Sequence, residues 1–288
     1  MVHLNRVSQM REASRAARGR GERIGLVPTM GYLHEGHMTL VRRAREVSDW
    51  VVVSIFVNPT QFGPREDLSR YPRDLERDSA LCRAEGVGAL FVPAVEEIYP
   101  PGFQTYVTVE ELSKPLCGGS RPGHFRGVAT VVAKLFHIVE PALAVFGEKD
   151  YQQLQVIRRM VRDLDMNVDV VGVPTVREAD GLAMSSRNTY LSPEERRRAL
   201  CLPNALAQAQ ALISAGETRA ERVIARARGI LEEAGAEVDY VEIRDPETLE
   251  TVDTIHAAAV LALAARVGTT RLIDNRILAG ATREAERR

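Results

Sequence analysis

From Arg23 to about residue 173 the chain alternates short apolar, β-branched runs with longer stretches of helical spacing. That alternation restricts it to repeated β-α units around a parallel sheet. Candidate strands are RIGLVPT (23–29), WVVVSIFV (50–57), GALFVP (88–93), ALAVFGE (142–148) and NVDVVGVP (167–174), with helices near 36–48, 72–85, 126–139 and 150–164. The implied fold is α/β, a Rossmann-like doubly wound parallel sheet, which binds ligands in the crevice beyond the carboxyl ends of its strands. Chemistry is therefore sought just after each run.

After Pro174 the pattern changes to two charged, alanine-rich helices (193–214 and 217–235) and three short strands, VDYVEI, AAVLALAA and TRLIDN. A boundary near 175 follows, giving a Rossmann-like domain over 1–175 and a smaller α+β domain over 176–288. The first twenty residues read as a surface helix, and the last dozen as frayed. They lack the apolar core of a secretory signal, and the run AAAVLALAARV is too short to span a bilayer.

Thirty-eight basic residues balance thirty-nine acidic ones, so no global field draws in nucleic acid or an anionic membrane. The three cysteines, Cys82, Cys117 and Cys201, are far apart and never in a CxxC, which points to a reducing cytoplasm rather than a disulfide or zinc framework.

The first run ends at Thr29 and leads through Met30, Gly31, Tyr32 and Leu33 into His34, Glu35, Gly36 and His37 at a predicted helix start. Unpaired amides and the helix dipole favour phosphate there, and two imidazoles one turn apart supply hydrogen-bond or proton donors. Zinc binding by the same pair lacks a third ligand and the i, i+4 spacing of hydrolases. The second run ends in NPTQFGP, where Asn58 and Gln61 either cap the turn or, for Gln61 above all, hold a small polyhydroxy acid. Beyond it, the charged loop of residues 62–72 is either a mobile flap or a surface excursion.

Gly147, Glu148, Lys149 and Asp150 follow the fourth run, and Lys149 at a helix N-terminus opposes the dipole unless an anion sits there. Asp150 suits an N-cap, and Gln153, one turn on, faces the crevice. Met184, Ser185, Ser186 and Arg187 form a hydroxyl-rich loop that either clamps phosphates or makes an ordinary turn. Arg121, His124 and Arg126 lie in LCGGSRPGHFRGV, read as a glycine-rich connection that either contacts an anion or merely links elements.

In chain order, PTMGYLHEGH, SIFVNPTQF, LCGGSRPGHFRGV, VFGEKDYQQL and GLAMSSRN resemble the pantothenate synthetases over essentially the whole chain. HxGH alone would place it only among the HIGH-type nucleotidyl transferases. The resemblance implies ATP-dependent joining of pantoate and β-alanine through a pantoyl adenylate, releasing pyrophosphate and AMP, on the route to coenzyme A. It implies that Met30 through His37, Gly147 through Asp150, Val176 and Met184 through Arg187 contact ATP. His37 would be the proton donor, assisted by His34 and Lys149, while Gln61 and Gln153 would hold pantoate, with Gln61 near β-alanine. It also implies Mg2+ carried on the nucleotide, with Asp74, Asp78 and Asp150 as open choices of ligand, and a homodimer. The competing readings are another adenylyl or cytidylyl transferase, a tRNA synthetase lacking its basic extension, and a nucleotide sensor without turnover.

Overall fold

The computed structural model describes residues 1–64 and 66–279, so part of the tail read as frayed lies outside the described residues. The chain divides into two compact units, Met1–Val176 and Arg177–Arg288. In the first, strands and helices follow in the order β1 (Val2–Leu4), α1 (Val7–Gly19), β2 (Ile24–Thr29), α2 (Glu35–Val47), β3 (Trp50–Ile55), α3 (Leu75–Ala84), β4 (Ala89–Phe91), α4 (Val95–Ile98), α5 (Cys117–Ser120), α6 (His124–Val139), β5 (Leu143–Gly147), α7 (Tyr151–Asp163) and β6 (Asp169–Val173).

These strands form one parallel sheet of order β1-β4-β3-β2-β5-β6. The chain builds outward from β2 through β3 to β4, then returns to place β5 on the other side of β2. That reversal puts the topological switch point between the carboxyl ends of β2 and β5. β2 pairs with β3 over six residues but with β5 only at Gly25–Leu143 and Leu26–Ala144. Ala142 donates to the Ile24 carbonyl, so even-numbered residues of β2 face β5. Pro28, on that side, has no N–H to give. The two strands stop pairing before their carboxyl ends, and the crevice opens there.

Val27, Val41, Val53, Leu90 and Val145 are completely buried where α2 covers one face of the sheet. Trp50, at the start of β3, lies so close to the β4 approach that a Cβ on Gly88 would sit 2.2 Å from its Nε1.

All five predicted strands of this unit are present. The sequence reading missed β1, a three-residue edge strand beside β4 that is too short to show a period. Residues 117–120 and 124–125, read as a loose connection, are helical: α6 begins two residues earlier than predicted, after Gly123 in the left-handed region at φ +83°.

In the second unit α8 (Pro193–Ala199), α9 (Cys201–Ser214) and α10 (Ala220–Glu233) cover one face of an antiparallel sheet of β7 (Glu237–Arg244), β8 (Ala259–Val267) and β9 (Thr270–Leu278). The single helix expected over 193–214 is broken at Leu200. Pro203 explains the break: it has no N–H for the Ala199 carbonyl, and its ring would collide with it, so a new helix starts at Cys201.

Leu26 is completely buried where the β2–β5 ladder ends. Leu26→Ala is expected to lower unfolding free energy by about 3 kcal/mol, read as a lower urea midpoint at unchanged slope.

Candidate active site

The turn after β2 is built by two polar side chains. The Thr29 hydroxyl donates to the Ser54 carbonyl at 2.8 Å and accepts the Gly31 N–H at 3.2 Å. Gly31 and Tyr32 both adopt positive φ, +84° and +50°. A Cβ on Gly31 would meet Ile55 at 2.9 Å and the Asp78 carboxylate at 3.2 Å, so only glycine fits. Asp78, 1% exposed, accepts the Tyr32 and Leu33 N–H groups, each at 2.7 Å, one per oxygen. Burial raises its pKa and these two bonds oppose the rise. Asp78 was not read as structural from sequence. It is the carboxylate that holds the left-handed residue in place.

His34 then occupies the N-cap of α2, and His37 stands one turn inside. The rings lie 4.1 Å apart at 44°, and the His34 N–H donates to His37 Nδ1 at 3.2 Å. With Nδ1 accepting, the hydrogen of a neutral His37 sits on Nε2. Burial, then the neighbouring His34 and Lys149, push its pKa down to about 3, with Asp150 opposing. The donor at this position is thus a neutral imidazole. Lys149 and Asp150 act on the His37 charge, so the segments after β2 and β5 meet across the switch point, as the crevice rule required.

After β5, Gly147 has open space where a Cβ would be, and Glu148–Asp150 make one 3-10 turn before α7. Lys149 Nζ lies 3.3 Å from the half-exposed Asp150 carboxylate. Asp150 holds the N-cap position by its backbone, but its side chain makes no capping bond. The adjacent glutamines differ. Gln152 is buried, donating to the Leu112 and Pro115 carbonyls at 2.9 and 2.7 Å and accepting the Cys117 N–H at 3.0 Å. Gln153 is partly exposed and has no side-chain hydrogen bond among the described residues.

After β3, Pro59–Gln61 form another 3-10 turn. Asn58 and Gln61 have distinct parts here. Asn58, 1% exposed, donates to Gln61 Oε1 at 3.0 Å and to the Gly127 carbonyl at 3.1 Å, and accepts from the Thr60 N–H and hydroxyl and the Tyr99 hydroxyl. It caps and fastens the turn. Gln61, its oxygen held, turns its Nε2 to the Met30 sulfur at 3.2 Å. Gln61 and the stretch after β2 therefore share one rim.

Among the three carboxylates considered for a metal, Asp78 is engaged with the turn and Asp74 accepts the Arg77 N–H as the cap of α3. No group of three or more His, Cys, Asp or Glu that could hold a metal occurs among the described residues. Val176 ends the first unit, and Met184–Arg187 belongs to the second. Within that loop the Ser185 hydroxyl accepts the Arg187 N–H at 3.3 Å, and Ser186 is buried. Asn188, just after it, donates to Glu178 at 2.6 Å and to the Ala183 carbonyl at 3.1 Å, tying the loop down.

The sequence matches the family pattern described as Pantoate-beta-alanine ligase over residues 3–277. The chain belongs to the pantoate–β-alanine ligase family. Among relatives, the pantothenate synthetase of Geobacter sulfurreducens is 57% identical, covering 96% of this chain and 98% of its own, and that of Moorella thermoacetica is 58% identical, covering 96% and 99%. The solved pantothenate synthetase of Thermus thermophilus superimposes with a TM-score of 0.92 at 50% identity, covering 97% of this chain and 100% of that one. A ligase of Francisella tularensis, described as complexed with beta-gamma ATP and β-alanine, gives 0.81 at 33% identity, covering 96% and 97%. Ligase membership therefore spans both units, and the α/β fold with a smaller second domain is that of the family.

Two outcomes follow for stability. Replacing Asp78 by alanine orphans two buried N–H groups and is expected to lower unfolding free energy by about 3 kcal/mol, measured by urea denaturation. His37 and His124 are held neutral, with pKa values of about 3 and about 4, whereas the unfolded chain takes up those protons near 6.5. Unfolding then binds protons, so this contribution is full above pH 6.5 and is lost as pH falls toward those values. The drop in urea midpoint between pH 7.5 and pH 5 should be smaller in His37→Gln than in the parent.

Proposed function

We infer that the chain joins pantoate to β-alanine, using ATP and releasing AMP and pyrophosphate, on the route to coenzyme A. The family match over residues 3–277 carries this reading. The site geometry supports it, because donors for developing phosphate charge and an anchored amide share one rim. A sensor without turnover needs no such arrangement, and a transferase of another class is at odds with near-complete coverage by ligases.

In the first step the pantoate carboxylate attacks the α-phosphorus of ATP and pyrophosphate leaves. In the second the β-alanine amine attacks the pantoyl adenylate and AMP leaves. Met30 through His37 and Gly147 through Asp150 line the nucleotide phosphates, where the α2 N-terminus adds its dipole. Negative charge grows on those phosphates in the first step, and His37 Nε2–H meets it as a neutral donor. Lys149 meets it as a cation, each group contributing about 3 kcal/mol in the transition state. His34, stacked beside His37, assists. Val176 and Met184 through Arg187 are assigned to ATP on the resemblance alone, as is a lid role for the second unit. Gln61 and Gln153 hold pantoate, Gln61 through its remaining Nε2 hydrogen.

Magnesium fits as a passenger of the nucleotide, because the described residues offer no cluster that would hold it independently and Asp150 is the half-exposed carboxylate at the rim. Bound there it would neutralise phosphate charge. No helix among the described residues is long and apolar enough to cross a membrane, and the three cysteines are buried thiols. We place the protein in the cytoplasm as a symmetric dimer, the commonest assembly.

Exchange of labelled pyrophosphate into ATP tests the reading: it should occur only with pantoate present. Exchange supported by another acid, or absent with every acid, overturns it. Lys149→Ala should fold normally and form adenylate about a hundredfold more slowly in single turnovers. Gln61→Ala should raise the KM for pantoate far more than that for ATP.

A further inference from the structure

His124 is 9% exposed at the first position of α6, and no step above uses it. Its Nδ1 lies 2.9 Å from the Gln61 backbone carbonyl, and its Nε2 lies 3.0 Å from an Arg121 guanidinium nitrogen. A carbonyl only accepts and a guanidinium only donates, so both partners are satisfied by one state: a neutral ring with hydrogen on Nδ1. Its surroundings agree. Burial and then Arg121 push its pKa down to about 4, against the Gln61 carbonyl, Glu66 and Asp150.

Arg121 is itself fixed. Its Nε and second amino group donate to the two oxygens of Glu66 at 2.7 and 2.8 Å, a bidentate pair with a carboxylate of the loop that follows the Gln61 turn. The same second nitrogen also reaches the Gln61 carbonyl at 3.4 Å. One turn along α6, Gly127 presses its backbone against that turn. A Cβ there would lie 2.4 Å from the Thr60 carbonyl oxygen and 2.7 Å from the Gln61 nitrogen. His124 and Gly127, three apart, face the same way on the helix. The 3-10 turn is thus seated on α6 by one close approach, the oriented His124 hydrogen bond and the Asn58 bond to the Gly127 carbonyl.

We propose that His124 is a positioning residue for the ligation: through its Nδ1–H and the Glu66–Arg121 pair behind it, it sets where the Gln61 carboxamide meets pantoate. This rests on the reading of Gln61 as a pantoate contact. The side chain of Gln61 is already held by Asn58 at its oxygen. Its backbone is held by His124, so amide and main chain are fixed by separate partners. Among the described residues, removing the ring leaves the Gln61 carbonyl with only the long Arg121 contact and lets the turn shift. An ångström of drift at a substrate-holding group is enough to weaken binding by tenfold or more, roughly.

Pyrophosphate exchange in the full-length protein, with KM measured separately for pantoate and ATP, tests this. In His124→Ala the pantoate KM should rise about tenfold or more while the ATP KM stays within about twofold. His124→Asn, which keeps a donor near the Nδ1 position, should recover most of the loss. In the Gln61→Ala background, adding His124→Ala should raise the pantoate KM no further, because the group it positions is gone. Should His124→Ala fail to fold, Arg121→Leu is measured by the same criteria, with a smaller shift in the same direction. Equal rises for both substrates, an asparagine variant no better than alanine, or additive effects in the double variant overturn the positioning role while leaving Gln61 in place. An unchanged pantoate KM in Gln61→Ala overturns the placement of Gln61 and this inference with it.

Discussion

Strands β2 and β5 stay in register over only two residue pairs, and Pro28, turned toward β5 without an N–H, stands where the ladder fails. A fully paired sheet would leave no crevice at its switch point. Because the strands part, the turn after β2 and the turn after β5 face each other across a gap, and the histidine pair and Lys149 are carried by these turns and the helix starts they lead into, with Gln61 on the neighbouring turn after β3. The rim is held by buried polar side chains bonded to backbone. Asp78 holds the Tyr32–Leu33 turn, Asn58 the Gln61 turn, and Gln152 the segment before α5. Each of these side chains is almost fully buried and satisfied, which is the condition under which burying a polar group fixes geometry instead of weakening the fold.

Charge at the rim is arranged by the same logic. Two imidazoles packed face to tilted face beside a lysine cannot all be cations, and burial settles the matter by keeping His37 neutral. The ring is then a directional donor with a fixed tautomer beside the lysine.

The parts legible in the sequence were those with local signals. Parallel strands buried on both faces show as continuous β-branched runs, so five of the six strands in the first sheet were placed to within two residues at either end. The glycines and histidines after β2 and the lysine after β5 were found because chain order puts them past those strands. The parts that escaped were set by contacts distant in sequence. Asp78 looks like any acidic residue on an amphipathic helix, and only the fold reveals that its oxygens meet amides 45 and 46 positions away. Gln152 and Gln153 are neighbours of one type, and which of them is tied into the wall depends on which side of α7 faces residues 112–117. His124 was noticed as a motif residue, but its hydrogen bond to a main-chain carbonyl has no sequence signature. The break at Leu200 was available in principle from Pro203, and was overridden by the helical periodicity on either side.

Trp50 is the chain's one tryptophan, and it sits at the start of β3 against the backbone of Gly88. Its indole emission therefore reports the sheet of the first unit. Comparison of that emission with far-ultraviolet circular dichroism, which sees helices in both units, would separate a single concerted transition from two successive ones without any label being introduced.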